Sequence, residues 1–224
     1  MLGHDILTGL IYGARVSLFI GFLAIGISTS IGVVLGSVSG YYGGFVDEFF
    51  MRFTDVILSI PGFFLLLLAL SVFADSIRDM GAWGAPTIIA LLLGILGWAG
   101  VARIVRAEFL ALRELEYAEA ARVLGASDRR IIFRHLLPNA MAPVIVTATI
   151  GMAGVILSEA GLAFLGLGNP QTPSWGRMLQ LAQLGMRFAW WAALIPGLAI
   201  FFAVFAFNML GDALRDALDP RLKE

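Results

Sequence analysis

Among 224 residues the chain has no cysteine, two histidines and a single lysine. Without cysteine there is no thiol nucleophile, no disulfide and no thiolate metal cluster. His4 and His135 lie far apart and form no metal-ligand spacing. No metal and no other cofactor is therefore expected. The lone lysine, Lys223, is the penultimate residue, in RLKE. A Walker A loop needs a lysine between glycines and a Ser/Thr to reach the phosphates, so ATP hydrolysis by that route is excluded. The G-x-S-x-G and H-E-x-x-H patterns are missing too. The sequence offers no catalytic residue.

Charge is also scarce. Only 14% of residues are charged and 59% are hydrophobic, with a mean hydropathy of +0.90. An ordinary soluble domain has roughly 45–50% apolar and about 25% charged residues. One soluble core of this size cannot hide so much apolar surface, and the composition points to a bilayer. The net charge of −1 gives no footing to a nucleic-acid partner.

A membrane helix needs about 20 mostly apolar residues to cross a core about 30 Å thick. Five uncharged stretches qualify: Val16 to Val46, with its apolar part ending near Val38, Val56 to Ala74, Met80 to Ala102, Leu136 to Ser158, and Phe188 to Gly211. A sixth, Ala160 to Gly176, is rich in glycine and proline and reads as a loop, with room for a short helix dipping into the surface. Five spans put the two ends on opposite sides. Eleven basic residues fall on one side, seven of them between spans three and four, and four on the other. The positive-inside rule makes the first side, with the C-terminus, cytoplasmic. The N-terminus MLGHDILTGL lacks the basic start and cleavage site of a signal peptide.

Within the first span, Ser28, Gly32, Gly36 and Gly40 recur every four residues. Such a stripe lets another backbone approach closely, and packing inside the same chain is the expected use. Trp190 and Trp191 open span five as an interfacial belt. Pro61 and Pro196 sit near span ends, where proline kinks or starts a helix. Glu159, directly after span four, and Asp55, at the start of span two, read as charges at the water interface.

The longest hydrophilic stretch runs from Arg103 to His135. Ala107 to Leu124 are strong helix formers, with Glu114, Glu116 and Glu119 interleaved with Arg113 and Arg122. Gly125 stops that helix. Ser127 or Asp128 caps a new one leading into span four. Helix, glycine corner, helix, close to the membrane: this is either a solvated connector or a socket for a soluble partner.

Glu119-Ala120-Ala121, three residues, Gly125, nine residues, and a closing Leu137-Pro138 resemble the EAA loop of binding-protein-dependent ABC importer permeases, E-A-A-x3-G-x9-I-x-L-P. His135 stands where that pattern has Ile. The wider series is similar to the dipeptide/oligopeptide/nickel branch, specifically its C-type subunit: IYGARVSL (Ile11 to Leu18), GYYGG (Gly40 to Gly44), EYAEAARVLGAS (Glu116 to Ser127), RHLLPN (Arg134 to Asn139), FLGLG (Phe164 to Gly168), TPSWG (Thr172 to Gly176) and FNMLGDALRDALDPRLK (Phe207 to Lys223).

The resemblance implies an all-α integral membrane protein with the type I importer fold. It implies a transport subunit, not an enzyme, that moves dipeptides, oligopeptides or nickel across the cytoplasmic (inner) membrane. The implied partners are a homologous B-type permease subunit, two cytosolic ABC ATPase subunits and an extracytoplasmic solute-binding protein. Glu119, Ala120, Ala121, Gly125 and Ala126 would form the ATPase-facing coupling helix. Ala120 and Ala121 would permit close seating, and Leu137-Pro138 would end the loop. Gly32, Gly36 and Gly40 serve helix packing. Residues 1–12 are expected outside, 13–212 as the permease domain and 213–224 as the cytoplasmic tail. Family members carry six spans; five are read here, so the family's first span is expected to be missing through a shortened start. The alternatives are an autonomous secondary transporter or channel, which expects intramembrane charges or broken helices, and a membrane enzyme, which expects clustered activated side chains.

Overall fold

The computed structural model describes residues 5–72, 81–168 and 172–218. These fold into helices α1 (Ile6–Tyr42), α2 (Gly44–Ser59), α3 (Gly62–Val72), α4 (Gly84–Leu112), α5 (Glu116–Val123), α6 (Asp128–Phe164), α7 (Trp175–Gln183) and α8 (Trp191–Leu218). Four of them, α1, α4, α6 and α8, are long and apolar enough to cross a membrane, and the bent pair α2–α3 makes a fifth if it crosses as one. Residues 73 and 74, the end of the second expected span, lie outside the described residues.

Asp5 starts α1. Its carboxylate accepts from the Leu7 backbone N–H at 3.0 Å, an N-cap that satisfies one of the free donors of the first turn. Ile6 to Tyr12 are therefore the opening turns of α1, continuous with the span that follows. At about 1.5 Å per residue, the 37 residues of α1 reach about 55 Å, well beyond the hydrocarbon core. The helix ends at Gly43, whose φ of 66° is the left-handed backbone that glycine tolerates best.

α1 and α4 form the axis of the bundle. A Cβ on Gly32 would lie 2.6 Å from Val101 Cβ, one on Gly36 2.5 Å from the Ala102 carbonyl oxygen, and one on Gly40 2.6 Å from Phe109 Cβ. The four-residue stripe thus lies against α4 of the same chain, at a distance only missing side chains allow. Gly94 of α4 returns the contact, 2.7 Å from Ile27 Cβ. Dispersion contacts replace the hydrophobic drive that lipid cannot supply between spans.

The second expected span is not straight. α2 and α3 meet at 81°. Pro61 lacks an N–H and disfavours helical backbone at the residue before it; Ile60 is extended, at φ −94° and ψ 127°. α2 also begins at Gly44, far ahead of Val56, and takes in Asp47, Glu48, Arg52 and Asp55. It carries them because α4 neutralises two. Arg106 forms a two-pronged ion pair with Asp47, and Arg103 pairs with Asp55. Ser39 of α1 donates to the same Asp47 carboxylate at 2.5 Å.

α6 contains a six-residue π-helical stretch, Ile131–Leu136, just before Leu137-Pro138. Pro138 has no N–H for the α-helical ladder, and a wider turn absorbs the mismatch. Asn139 Nδ2 donates to the His135 carbonyl at 2.7 Å. The stretch read as a loop, Ala160 to Gly176, is helical to Phe164 and again from Trp175. Only its middle is irregular, and residues 169–171 lie outside the described residues.

The Gly36 contact generates a test. Gly36→Leu should lower the midpoint of thermal unfolding in detergent, by an overpacking cost of about 1–3 kcal/mol or more. Gly26→Ala, at an exposed helical position where a Cβ meets nothing within 4 Å, should hold the midpoint or raise it, since alanine is favoured over glycine in a helix by about 1 kcal/mol. Equal melting of the two variants would contradict the packing described.

Candidate functional site

The expected single helix from Ala107 to Leu124 is two helices. α4 continues to Leu112, residues 113–115 turn, and α5 starts at Glu116. Propensity favours one helix, but tertiary bonds decide. Arg113 reaches back to the end of α1, donating through Nη1 to the Gly40 carbonyl at 3.0 Å, while its Nε pairs with Glu114 at 2.9 Å. The chain must turn there to let α5 lie beneath the bundle.

α5 is held from above by apolar contacts and a polar bolt. Ala118 and Ala121 are buried against Tyr41, Phe109, Ile131, Leu136 and Ala140. Tyr41 donates its hydroxyl to Asp128 at 2.8 Å, and the Arg122 guanidinium lies 5.6 Å over the Tyr41 ring. Such a cation–π contact contributes about 0.5–1 kcal/mol at an exposed site. Gly125, at φ 74°, ends the helix in a Schellman turn: its N–H bonds the Arg122 carbonyl at 2.9 Å, and Ala126 N–H bonds the Ala121 carbonyl at 3.0 Å. Ser127 precedes α6 with extended backbone and makes no side-chain cap bond.

This geometry divides the motif residues into two sets. Ala121 faces inward and closes the elbow onto its own bundle, so it is not available for a close approach from outside. Glu119 and Ala120 are exposed, Ala126 is half-buried, and Glu119 has no ion-pair partner within 4 Å among the described residues. Leu137 and Pro138 lie beyond the π stretch, on α6. The sequence reading missed two residues: Val123 and Leu124 are 82% and 85% exposed at the tip, and Tyr117 and Leu115 also show apolar surface. The signal was present, since two apolar residues directly before a helix-ending glycine have no side of the helix left to hide on.

A second polar cluster corrects the reading of Glu159. It is not at the water interface. It is 2% exposed, near the far end of α6, and accepts from Ser17 Oγ at 2.9 Å and from the Ser174 hydroxyl. Ser174 also caps α7, accepting from the Arg177 N–H at 3.2 Å. Trp175 donates Nε1 to the Leu10 carbonyl at 3.1 Å, and a Cβ on Gly176 would lie 2.5 Å from the Ala160 carbonyl oxygen. The carboxyl therefore ties α1, α6 and α7 at the end opposite the elbow. Among the described residues no group of His, Cys, Asp or Glu is arranged to hold a metal ion.

Residues 32–224 match the family described as binding-protein-dependent transport system inner membrane component. The chain belongs to this family. The dipeptide permease protein DppC of Alkalihalophilus pseudofirmus is 40% identical over 99% of this chain and 70% of its own length. The glutathione permease protein GsiD of Pectobacterium atrosepticum is 42% identical over 99% and 71%. In fold, a chain of the MetNI methionine ABC transporter in an inward-facing conformation superposes with a TM-score of 0.73, covering 97% of this chain and 100% of that one at 18% identity. The protein is thus a multi-pass permease subunit of an ABC importer, a class that works with ATPase and solute-binding partners, and the family does not favour an autonomous transporter.

The Glu159 cluster yields its own test. Glu159→Ala strands two buried hydroxyls and opens a gap, and should cost about 1–3 kcal/mol, read as a fall in thermal midpoint. Glu159→Gln keeps an acceptor oxygen and should recover most of that loss. No difference between the two would remove the hydrogen bonds from the account.

Proposed function

We propose that this permease subunit imports peptides across the inner membrane and receives mechanical work from a separate ATPase through α5. The observation that carries the proposal is the exposed tip of Val123 and Leu124 on an elbow whose other face is fixed to α1, α4 and α6. An apolar knob at the end of a helix that also exposes Glu116, Glu119 and Arg122 suits a groove in a soluble partner. A buried apolar anchor carries most of the energy of such a contact, and the rim charges fix its register. Glu119 and Ala120 line the outer face. Gly125 sets the angle, and Ala126, Leu137 and Pro138 return the chain to the span.

The substrate class follows the dipeptide and glutathione permeases that resemble the chain; a nickel cargo has no support among the relatives named. The chain hydrolyses no ATP itself, and two cytosolic ATPase subunits supply the energy. A B-type permease completes the pathway, and a solute-binding protein delivers the peptide. In orientation, the elbow and the 213–224 tail face the cytoplasm, residues 1–12 face outward, and residues 13–212 form the permease body. The distribution of arginine supports this: Arg122, Arg129, Arg130 and Arg134 are exposed around the elbow. When the ATPases close, the elbow moves and the rigid α1–α4 pair rocks with it, alternating access to the pathway.

In the assembled importer, Leu124→Asp should weaken ATPase docking by about 2 kcal/mol or more, roughly thirtyfold, measured by co-purification and binding. Insertion into the membrane should be unchanged. Gly125→Val forces a branched side chain into left-handed backbone at a cost of about 1–2 kcal/mol. It should uncouple ATP hydrolysis from uptake. Undiminished ATP-driven uptake by both variants would defeat the role given to α5.

A further inference from the structure

A groove-like cavity of about 470 Å³, open along one side where Gly97, Gly100 and Gly154 are exposed, lies between α1, α3, α4 and α6, near the middle of the three long helices. Its wall is mostly apolar and carries no charged side chain. Two features separate it from a gap left by loose packing.

The first is the use of glycine. A helical glycine costs about 1 kcal/mol relative to alanine, so its presence calls for a reason. For Gly32, Gly36 and Gly40 the reason is the touching backbone of α4. Gly100 of α4 and Gly154 of α6 also line the cavity, but a Cβ on either would meet nothing within 4 Å. Gly97 has only an ordinary contact, 3.5 Å from Ser28 Cβ. Among the described residues no close helix contact demands these glycines. What they leave is room.

The second is a spare hydroxyl. Of the hydroxyl residues lining the cavity, Ser28, Thr147 and Ser158 donate to carbonyls of their own helices, at 3.1, 2.7 and 2.8 Å. Thr29 Oγ1 is buried and has no hydrogen-bond partner among the described residues. A buried hydroxyl left unpaired costs about 1–3 kcal/mol, a cost that a polar occupant of the cavity removes. A lipid acyl chain would fill the space and leave that oxygen stranded. A peptide offers both an uncharged side chain and an amide.

We propose that this cavity is a subsite for one uncharged, bulky side chain of the transported peptide, with Thr29 bonding the adjacent amide. It rests on the peptide reading above and deepens it. The floor is the α2–α3 bend, which contributes Gly62 and Phe63. Entry of a charged side chain would bury a charge with no partner, so the subsite selects against Lys, Arg, Asp and Glu at that position.

The test uses the complete importer in proteoliposomes, with its binding protein and ATPases, and compares uptake of Leu-Phe with that of Ala-Ala. Gly100→Leu and Gly154→Leu add a side chain at lining positions where the first carbon meets nothing within 4 Å. Each should lower Leu-Phe uptake about tenfold or more relative to Ala-Ala, with Ala-Ala uptake, thermal stability and binding-protein affinity preserved. Thr29→Val keeps the shape, and should raise the KM for Leu-Phe severalfold while sparing Ala-Ala. Equal loss for both dipeptides, or no loss for either, overturns the subsite while the peptide reading stands. A wild-type importer that takes up no peptide overturns the peptide reading and the subsite with it. Release of a bound lipid by Gly100→Leu, seen by native mass spectrometry with selectivity unchanged, assigns the cavity to an acyl chain instead.

Discussion

Close contact between α1 and α4 is the constraint from which most of the molecule follows. Lipid tails are as apolar as leucine, so two spans gain little by burying side chains against each other; they gain by touching over a long line. Glycine at 32, 36 and 40 brings the α1 backbone against Val101, Ala102 and Phe109. That proximity places Arg106 within reach of Asp47 and Arg113 within reach of the last carbonyls of α1. Once Arg113 is drawn there, α4 cannot continue straight, and α5 must cross beneath the bundle.

The two ends of the bundle are finished differently. At the elbow end the fixing contacts are ionic and aromatic, at the edge of solvent: Tyr41 with Asp128, Arg122 over the ring, Arg113 on backbone. At the opposite end they are buried and compact: Glu159 with Ser17, Trp175 on the Leu10 carbonyl, Gly176 against Ala160. Between them the walls contain glycines that no neighbouring helix requires. Stiff ends and a roomy middle suit a subunit that moves as a body around a passage.

Much of this was legible in the sequence. Uncharged runs located the four long spans, because a bilayer tolerates few charges and needs a fixed length. The EAA series located the elbow, and Gly125 stops α5 in the left-handed backbone its position suggested. The failures share a cause: each depended on a partner distant in sequence. Asp47 and Asp55 bound the uncharged runs, yet both lie inside α2. They are helix residues because Arg106 and Arg103 answer them from α4. Glu159 looked like a terminal charge because its partners, Ser17 and Ser174, sit on other helices. Ala120 and Ala121 looked equivalent by size, yet adjacent helical positions point about 100° apart, and only Ala121 is turned inward. Ile60–Pro61 signalled a break, but no local rule fixes the angle of 81° between α2 and α3.

The unequal reach of the helices has a mechanical consequence. α1 is about 55 Å long against a hydrocarbon layer of about 30 Å, and zipped to α4 it behaves as a splint that outgrows the sheet it pierces. Tilting such a splint by about 5° displaces its far end by about 5 Å, from its length alone. A modest stroke at the water-exposed tip therefore suffices to widen or narrow a channel of molecular dimensions, and no helix has to unwind for it.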